Sequence, residues 1–143
     1  MELTRRDICR MGAAAAAFAA TGASLPAFAA EDQVQKAIME FTGGATPAEG
    51  GIDLGAPEIA ENGNTVPVEV AAEGAPAIML LADGNPSPGV ATFHFGPLAG
   101  SSHASTRIRL AESQNVVAVA KMQDGSFKMA KREVKVTIGG CGG

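Results

Sequence analysis

The spacing of apolar residues divides the chain after residue 30 into one helical segment followed by strands. Residues 31–44, EDQVQKAIMEFTGG, repeat apolar side chains at intervals of three and four, as one face of an amphipathic helix does. The apolar positions are Val34, Ala37, Ile38 and Phe41. Two acidic residues suit its first turn and two glycines, Gly43 and Gly44, end it. Residues 45–51 read as a linker because of their proline and glycine content.

From residue 52 onward the apolar residues alternate with polar ones, which predicts strands. The sequence TVPVEV puts Val66, Val68 and Val70 on one face. Turn signals separate the apolar runs, at NG 62–63, GNPSPG 84–89 and DG 124–125. Several short strands with turns about every eight to twelve residues predict an antiparallel β-sandwich.

The same alternation assigns individual side chains to the inside or the outside of the sandwich. Those expected inside are Ala91, Phe93, Phe95, Ile108 and Leu110. Those expected outside are Thr92, His94, Arg107 and Arg109. The run NVVAVAKM, residues 115–122, is apolar on both faces. It is therefore either a central strand or a strand whose residues Val116–Ala120 contact a partner subunit.

The last predicted strand, residues 126–138, changes phase along its length. Phe127 and Met129 are apolar at odd positions, whereas the later apolar residues stand at even positions. These later residues are Val134, Val136 and Ile138. Because one face cannot bury both sets without an extra residue, a β-bulge or a break is expected near residues 131–133.

The first thirty residues have the order of an export signal. The twin arginines Arg5 and Arg6 precede an alanine-rich apolar run, residues 13–20, and a small-residue exit, AFA at 27–29. This order indicates a twin-arginine signal that is cleaved after residue 29 or 30, and thus a periplasmic protein. An amphipathic N-terminal helix is the alternative. The apolar run is too short to span a membrane, and no membrane contact is expected after cleavage.

Composition narrows the range of functions. Of the eleven basic and fifteen acidic residues, eight and thirteen lie after residue 30, a net charge of −5. The charges are interspersed without a basic stripe, so a nucleic-acid partner is not expected. The chain has two cysteines, and Cys9 leaves with the signal. A single thiol, Cys141, remains in an exported protein, which indicates an intermolecular disulfide or a reactive sulfur.

Most catalytic and metal chemistry lacks a signature here. The glycines form no nucleotide-binding loop, and no Ser-His-Asp pattern occurs, so no catalytic residue is assigned. His94 and His103 read as ordinary exposed residues, and no metal ligand is assigned. An exported metal chaperone would need grouped methionines, yet these are dispersed. Arg107 and Arg109 form either a solvated face with cross-strand ion pairs or a contact for an anion or an acidic partner.

The chain ends in GGCGG, residues 139–143. Gly139 and Gly140 precede Cys141, and Gly142 and Gly143 follow it. Glycine is conformationally free, and the three residues after Ile138 can extend about 10 Å, so a thin, flexible arm is expected. A thiol of ordinary pKa, about 8.5, is only a few per cent thiolate at neutral pH. It is therefore better suited to modification by other enzymes than to catalysis.

Three interpretations of Cys141 follow from the residues alone. The cysteine is incidental, it links two chains through a structural disulfide, or it carries a covalently bound substance. An incidental exposed thiol is a liability in an oxidising compartment, which favours the other two. The residues do not identify the substance carried.

The chain after residue 30 resembles the SoxY family, the sulfur-carrying subunits of the bacterial thiosulfate-oxidising system. The similar stretches are ENGNTVPVEV (61–70), LADGNPSPGVATFHFGP (81–97), STRIRLAESQNVVAVAKMQDGSF (105–127) and EVKVTIGGCGG (133–143). One departure is VAAEGAPAIM (70–79), which is shorter than the corresponding connection in many members. This departure bears on loop contacts there and leaves the terminal arm unaffected.

The resemblance implies an all-β, immunoglobulin-like sandwich over residues 52–138, with the helix and linker at 31–51 and the carrier arm at 139–143. It implies a heterodimer with a SoxZ-like subunit. It also implies that a haem enzyme conjugates thiosulfate to Cys141, giving a cysteine S-thiosulfonate, and that a hydrolase then releases sulfate. Where present, a molybdenum-containing sulfane dehydrogenase oxidises the remaining sulfur. No cofactor other than these covalent adducts is implied.

Overall fold

The computed structural model describes residues 28–140, with side chains from residue 31 onward. The predicted twin-arginine signal with Arg5 and Arg6 lies outside the described residues, as do Cys141, Gly142 and Gly143. The described elements, in chain order, are α1 Phe28–Thr42, β1 Ala48–Glu49, β2 Asp53–Gly55, β3 Ile59–Ala60, β4 Val66–Ala71, β5 Ala77–Ala82, β6 Gly89–His94, β7 His103–Ile108, β8 Gln114–Lys121 and β9 Phe127–Val136.

The helix confirms the predicted amphipathic segment. Its apolar face is turned inward, with Val34 and Ile38 buried and Ala37 and Phe41 partly buried. It ends where the paired glycines were expected to end it: the Gly44 amide donates to the carbonyl of Met39 at 3.0 Å, and both glycines have positive φ. The helix begins at Phe28, ahead of the predicted cleavage point, and cleavage stays a prediction. Among the described residues no helix is long and apolar enough to cross a membrane.

Two sheets face each other and confirm the predicted immunoglobulin-like sandwich. The larger sheet has the order β1–β9–β8–β5–β6, with β3 also paired to β9, and the smaller sheet has the order β2–β4–β7. The long pairings are antiparallel, but β1 and β3 both run parallel to β9. The segment predicted as a linker, residues 45–51, therefore contributes a short strand to the edge of β9.

The main core lies between the two sheets. From the smaller sheet it receives Val66, Val68 and Val70, as the alternation predicted, and from the larger sheet it receives Ile78 and Leu80. The predicted inward residues Ile108 and Leu110 are buried, and Phe93 of β6 and Phe95 just beyond it pack against the same core. Each fully buried Val, Leu or Ile contributes about 1.5–3 kcal/mol to folding, so this layer accounts for much of the fold's stability.

A second core lies on the outer face of the larger sheet, beneath α1. Val34 and Ile38 of the helix pack on Val117 and Val119 of β8 and on neighbouring residues of β5. Strand β8 is central, which confirms the first of the two predictions for it. Both of its faces are covered within the chain. The alternative prediction that Val116–Ala120 contact a partner subunit is wrong, because all five side chains are fully buried by the sandwich core and the helix.

The β-bulge predicted near residues 131–133 is also wrong. The pairing of β8 with β9 is continuous from Gln114 opposite Val134 to Lys121 opposite Phe127. The two apolar sets of β9 occupy opposite faces: the odd positions face the helix, where Phe127 meets Phe41 edge-to-face at 6.0 Å between ring centroids. The even positions, including Val134, face the core between the sheets. No extra residue is needed because each face has its own partner layer.

The predicted DG turn at residues 124–125 joins β8 to β9. Gly125 has a φ of +83°, and the Asp124 carboxylate accepts hydrogen bonds from the hydroxyl and amide of Ser126 at 2.6 and 2.8 Å. These bonds, that from the hydroxyl foremost, lower the pKa of Asp124 below its ordinary value of 3.8. The tight turn sets the long β8–β9 pairing and so directs the C-terminus to the opposite end of the sandwich.

Candidate functional site

The chain stays attached to the sandwich beyond the last strand. After β9, the amide of Thr137 donates to the carbonyl of Ala60 at 3.0 Å, and the carbonyl of Ile138 accepts from the amide of Gly63 at 2.7 Å. Two residues later, the amide of Gly140 donates to the carbonyl of Leu110 at 2.8 Å. The last described residue is therefore held to the body by its backbone.

Gly63 lies at the centre of this attachment. Its amide donates to Ile138, and its carbonyl accepts from the amide of Leu110 at 2.8 Å. The turn at residues 62–64 thus joins the loop at residues 109–111 to the C-terminal segment 138–140. We call the surface formed by residues 62–64 and 109–111 the seat.

The seat requires glycine on both sides because the backbones approach closely. A β carbon on Gly140 would lie 2.5 Å from the carbonyl oxygen of Gly63, and one on Gly139 would collide with the carbonyl oxygen of Ala111. A β carbon on Gly63 would collide with the carbonyl oxygen of Leu110 and approach the Gly140 nitrogen to 2.8 Å. The obstructing atoms belong largely to the backbone, which cannot yield as a flexible side chain does.

Two polar side chains behind the seat fix the loop at residues 109–111. The side-chain amide of Asn85 donates to the Arg109 carbonyl at 2.8 Å and its oxygen accepts from the Ala111 amide at 2.9 Å. Gln114 donates to the same Asn85 oxygen at 2.9 Å and accepts from the Gly84 amide at 2.7 Å. Both side chains are buried. A buried network whose polar groups are satisfied makes the seat a defined surface.

In this structure Gly139 and Gly140, predicted as the start of a flexible arm, lie against the seat. Both residues are partly buried against the seat, and Gly140 is hydrogen-bonded to it. Sequence reasoning took glycine as a sign of flexibility, whereas here its lack of a side chain permits close contact. The NG dipeptide at 62–63 was recognised only as a turn, because backbone-to-backbone docking has no side-chain signature.

The two histidines lie at the other end of the sandwich from the seat. His94 ends β6 and is exposed, as predicted for an outward strand residue; His103, predicted in a polar loop, is exposed at the first position of β7. Within residues 28–140 no cluster of three or more His, Cys, Asp or Glu is arranged to hold a metal ion. His103 borders an open depression of about 720 Å³ at the opposite end of the sandwich from the seat.

Arg107, on β7, and Arg109, directly after this strand, are both exposed, as predicted. Among the described residues the salt bridge found is Lys36–Glu40 on the helix, so the interpretation of cross-strand ion pairs for the two arginines is not supported. Arg109 immediately precedes Leu110, the residue whose carbonyl receives Gly140. One positively charged residue therefore belongs to the seat itself, directly before Leu110.

The seat and the segment that it holds fall within a recognised family. A family model described as "Sulfur oxidation protein SoxY" matches residues 38–141. The sulfur carrier protein SoxY from Chlorobium limicola f thiosulfatophilum is 40% identical, with a TM-score of 0.64, over 76% of this chain and 99% of that one. No curated protein sequence gives a significant match.

A more distant likeness concerns the fold alone. A superoxide reductase (neelaredoxin) from Ignicoccus hospitalis matches with 18% identity and a TM-score of 0.54, over 61% of this chain and 80% of that one. At this identity the likeness indicates a shared β-sandwich, since one fold can host unrelated functions.

Proposed function

The chain belongs to the SoxY family, whose members are sulfur carriers, and we propose that it holds thiosulfate-derived intermediates covalently on Cys141. On this proposal the protein is a substrate carrier on which partner enzymes act, and it has no catalytic residue of its own. The carrier segment is GGCGG, with Gly139, Gly140, Gly142 and Gly143 around the thiol.

The observation that best supports this proposal is the position of the last described residue. Gly140 sits at the outer rim of the sandwich, held by a backbone hydrogen bond to Leu110, and Cys141 is the next residue. The only cysteine after residue 30 therefore follows directly from the rim of a rigid body. Such a body can dock on an enzyme while the thiol is presented beyond it.

The chemistry requires an external oxidant and balances as follows. The Cys141 thiol and thiosulfate would join through a new S–S bond, releasing one proton and two electrons, and the haem-containing conjugating enzyme would supply the two-electron oxidant. The product is the cysteine S-thiosulfonate. Water then cleaves the bond to the terminal sulfone, releasing sulfate and leaving a persulfide on Cys141. The proposal assigns activation of the thiol and of water in these steps to groups of the partner enzymes.

A covalent link suits a substrate that several enzymes handle in turn. It prevents loss of the intermediate between steps, and docking of the body raises the local concentration of the adduct at each enzyme. The proposed partners are a SoxZ-like subunit in a heterodimer, the haem-containing conjugating enzyme, a sulfate-releasing hydrolase and, where present, a sulfane dehydrogenase. The proposed location is the periplasm, reached by twin-arginine export through Arg5 and Arg6 together with the bound partner.

The test is intact mass spectrometry after incubation with thiosulfate and the haem-containing conjugating enzyme. We expect the mass of the protein to increase by one thiosulfate unit. After addition of the hydrolase it should decrease to that of the protein with one added sulfur atom. Cys141→Ser should give no adduct and abolish thiosulfate-dependent turnover, because serine forms no such S–S bond.

Met39→Ala, an exposed change on the helix, is the matched control and should load like the native protein. Undiminished turnover by Cys141→Ser would reject the proposal. A disulfide dimer through Cys141 that never acquires an adduct would instead favour the alternative of a structural, disulfide-linked module.

A further inference from the structure

The contact between the C-terminal segment and the seat decides where the chain leaves the body. Thr137 is bound to Ala60 as a continuation of the strand pairing, and this attachment belongs to the fold itself. Beyond it, Ile138 is bound to Gly63 and Gly140 to Leu110. The segment 138–140 can therefore be held on the seat or lifted from it without disturbing a strand.

The seat is built from backbone atoms, which makes the contact specific yet weak. Ile138 points its side chain largely into solvent, with 64% of it exposed. Gly139 and Gly140 have no side chains to bury. The contact therefore consists of two hydrogen bonds and close glycine packing, opposed by the entropy of ordering three terminal residues. A contact of this kind can open without unfolding the sandwich.

We propose that Gly63 is a positioning residue for the Cys141 thiol. Through its amide and carbonyl it joins Ile138 to Leu110 and so holds the segment 138–140 on the seat. The chain then leaves the body at Gly140, one residue before Cys141. Release of the seat moves the exit point back to Thr137 and lengthens the reach of the thiol by three residues, about 10 Å.

The bonds behind the seat support a positioning role for the surface as a whole. Asn85 and Gln114 hold the loop at residues 109–111 from within, so the carbonyl of Leu110 has a fixed direction. Leu110 itself is fully buried and anchors this loop in the core. The seat is thus rigid, and the movable partner is the C-terminal segment.

This inference deepens the proposed function, because a carrier needs one thiol to serve sites of different depth. With the segment seated, the chain leaves the body at Gly140, and a thiol one residue further along suits a shallow site. With the segment released, the same thiol reaches a site about 10 Å deeper. The arm therefore has a short form, with the segment 138–140 on the seat, and a long form, with the segment released. An enzyme that binds the seat or its rim would displace the segment and so favour the long form.

The test compares Gly63→Ala with the native protein by backbone NMR relaxation at Gly140. We expect the native Gly140 amide to have an order parameter close to that of the sandwich, about 0.85, and the variant value to fall below about 0.6. The methyl group would collide with the Leu110 carbonyl within the seat and lie 2.8 Å from the Gly140 nitrogen, so the segment would be displaced. Gly100→Ala is the matched control, because a β carbon there meets nothing within 4 Å, and it should leave Gly140 ordered.

Gly139→Ala is a second variant that cannot prevent folding, since it follows the last attachment of the fold at Thr137. Its methyl group would collide with the Ala111 carbonyl, so it too should release Gly140. A chemical measurement then tests how far the thiol extends from the body. We compare the rates at which Cys141 reacts with N-ethylmaleimide and with a maleimide on a short linker to a globular protein.

Release should raise the relative rate of the bulky reagent by at least about fivefold, because two backbone hydrogen bonds are lost and one alone corresponds to about that factor. A native Gly140 amide that is already as mobile as a free terminus would overturn the inference. So would variants that leave both its order and the rate ratio unchanged. The experiment uses neither thiosulfate nor a partner enzyme, so failure of sulfur loading and failure of the seat are separate results.

Discussion

Asn85 is the side chain that connects the seat to the interior. It is 9% exposed and bridges two backbone groups of the loop at residues 109–111, besides accepting from Gln114. In the sequence it stands inside the turn signal GNPSPG, where asparagine usually serves the turn itself. Its partners lie more than twenty positions away along the chain, so no local pattern could reveal its role.

Replacement of Asn85 should therefore destabilise the protein. Asn85→Ala leaves the Arg109 carbonyl and the Ala111 amide without their partner, and an unsatisfied buried group costs about 1–3 kcal/mol. We expect the free energy of unfolding, measured by urea denaturation, to fall by about that amount. Ser87→Ala, an exposed change in the same loop, is the control and should change it by less than about 0.5 kcal/mol. Equal stability of the two variants would show that the network contributes nothing.

At the residue scale, burial could be predicted from the sequence where the side chains themselves form a pattern. The inward positions Val66, Val68 and Val70 were predicted correctly because alternation along one strand reports burial directly. The seat residues Gly63 and Gly140 were not predicted as partners. Because glycine has no side chain, a glycine in the sequence is compatible both with a mobile residue and with one that packs backbone against backbone.

At the scale of elements, the helix α1 explains both wrong predictions about strands β8 and β9. It covers the outer face of the larger sheet, burying Val117 and Val119 of β8 and contacting Phe127 of β9. The sequence predicted the helix itself and its apolar face. Which layer that face would join could not be predicted, because amphipathic periodicity specifies a buried face without naming its partner.

Truncation of the helix face tests this assignment. Ile38 is 7% exposed and packs on β5 and β8, so Ile38→Ala should lower the free energy of unfolding by about 2–5 kcal/mol in chemical denaturation. The neighbouring Met39 is 61% exposed, and Met39→Ala should change it by less than about 0.5 kcal/mol. If Ile38→Ala were as stable as Met39→Ala, the helix would not be part of the fold's core.

At the scale of the whole molecule, the sandwich separates its packed layers from the end at which the C-terminal segment leaves the body. Two packed layers, one between the sheets and one beneath α1, hold the strands. The seat and the exit of the C-terminus lie at one end of these layers, and an open depression of about 720 Å³ lies at the other. Fold class and family could be predicted from the sequence because strand alternation and the GGCGG ending are both local patterns. The way in which the end docks on the body depends on contacts between distant segments.

The measurement that tests the central claim most directly is peptide mapping of the protein isolated from cells that are oxidising thiosulfate. After acid quenching and proteolysis under non-reducing conditions, mass spectrometry would read the sulfur content of the C-terminal peptide that contains Cys141. We predict thiosulfonate and persulfide forms of this peptide during oxidation and their disappearance when thiosulfate is withdrawn. A C-terminal peptide that carries only free thiol or a Cys141–Cys141 disulfide throughout active oxidation would contradict the account.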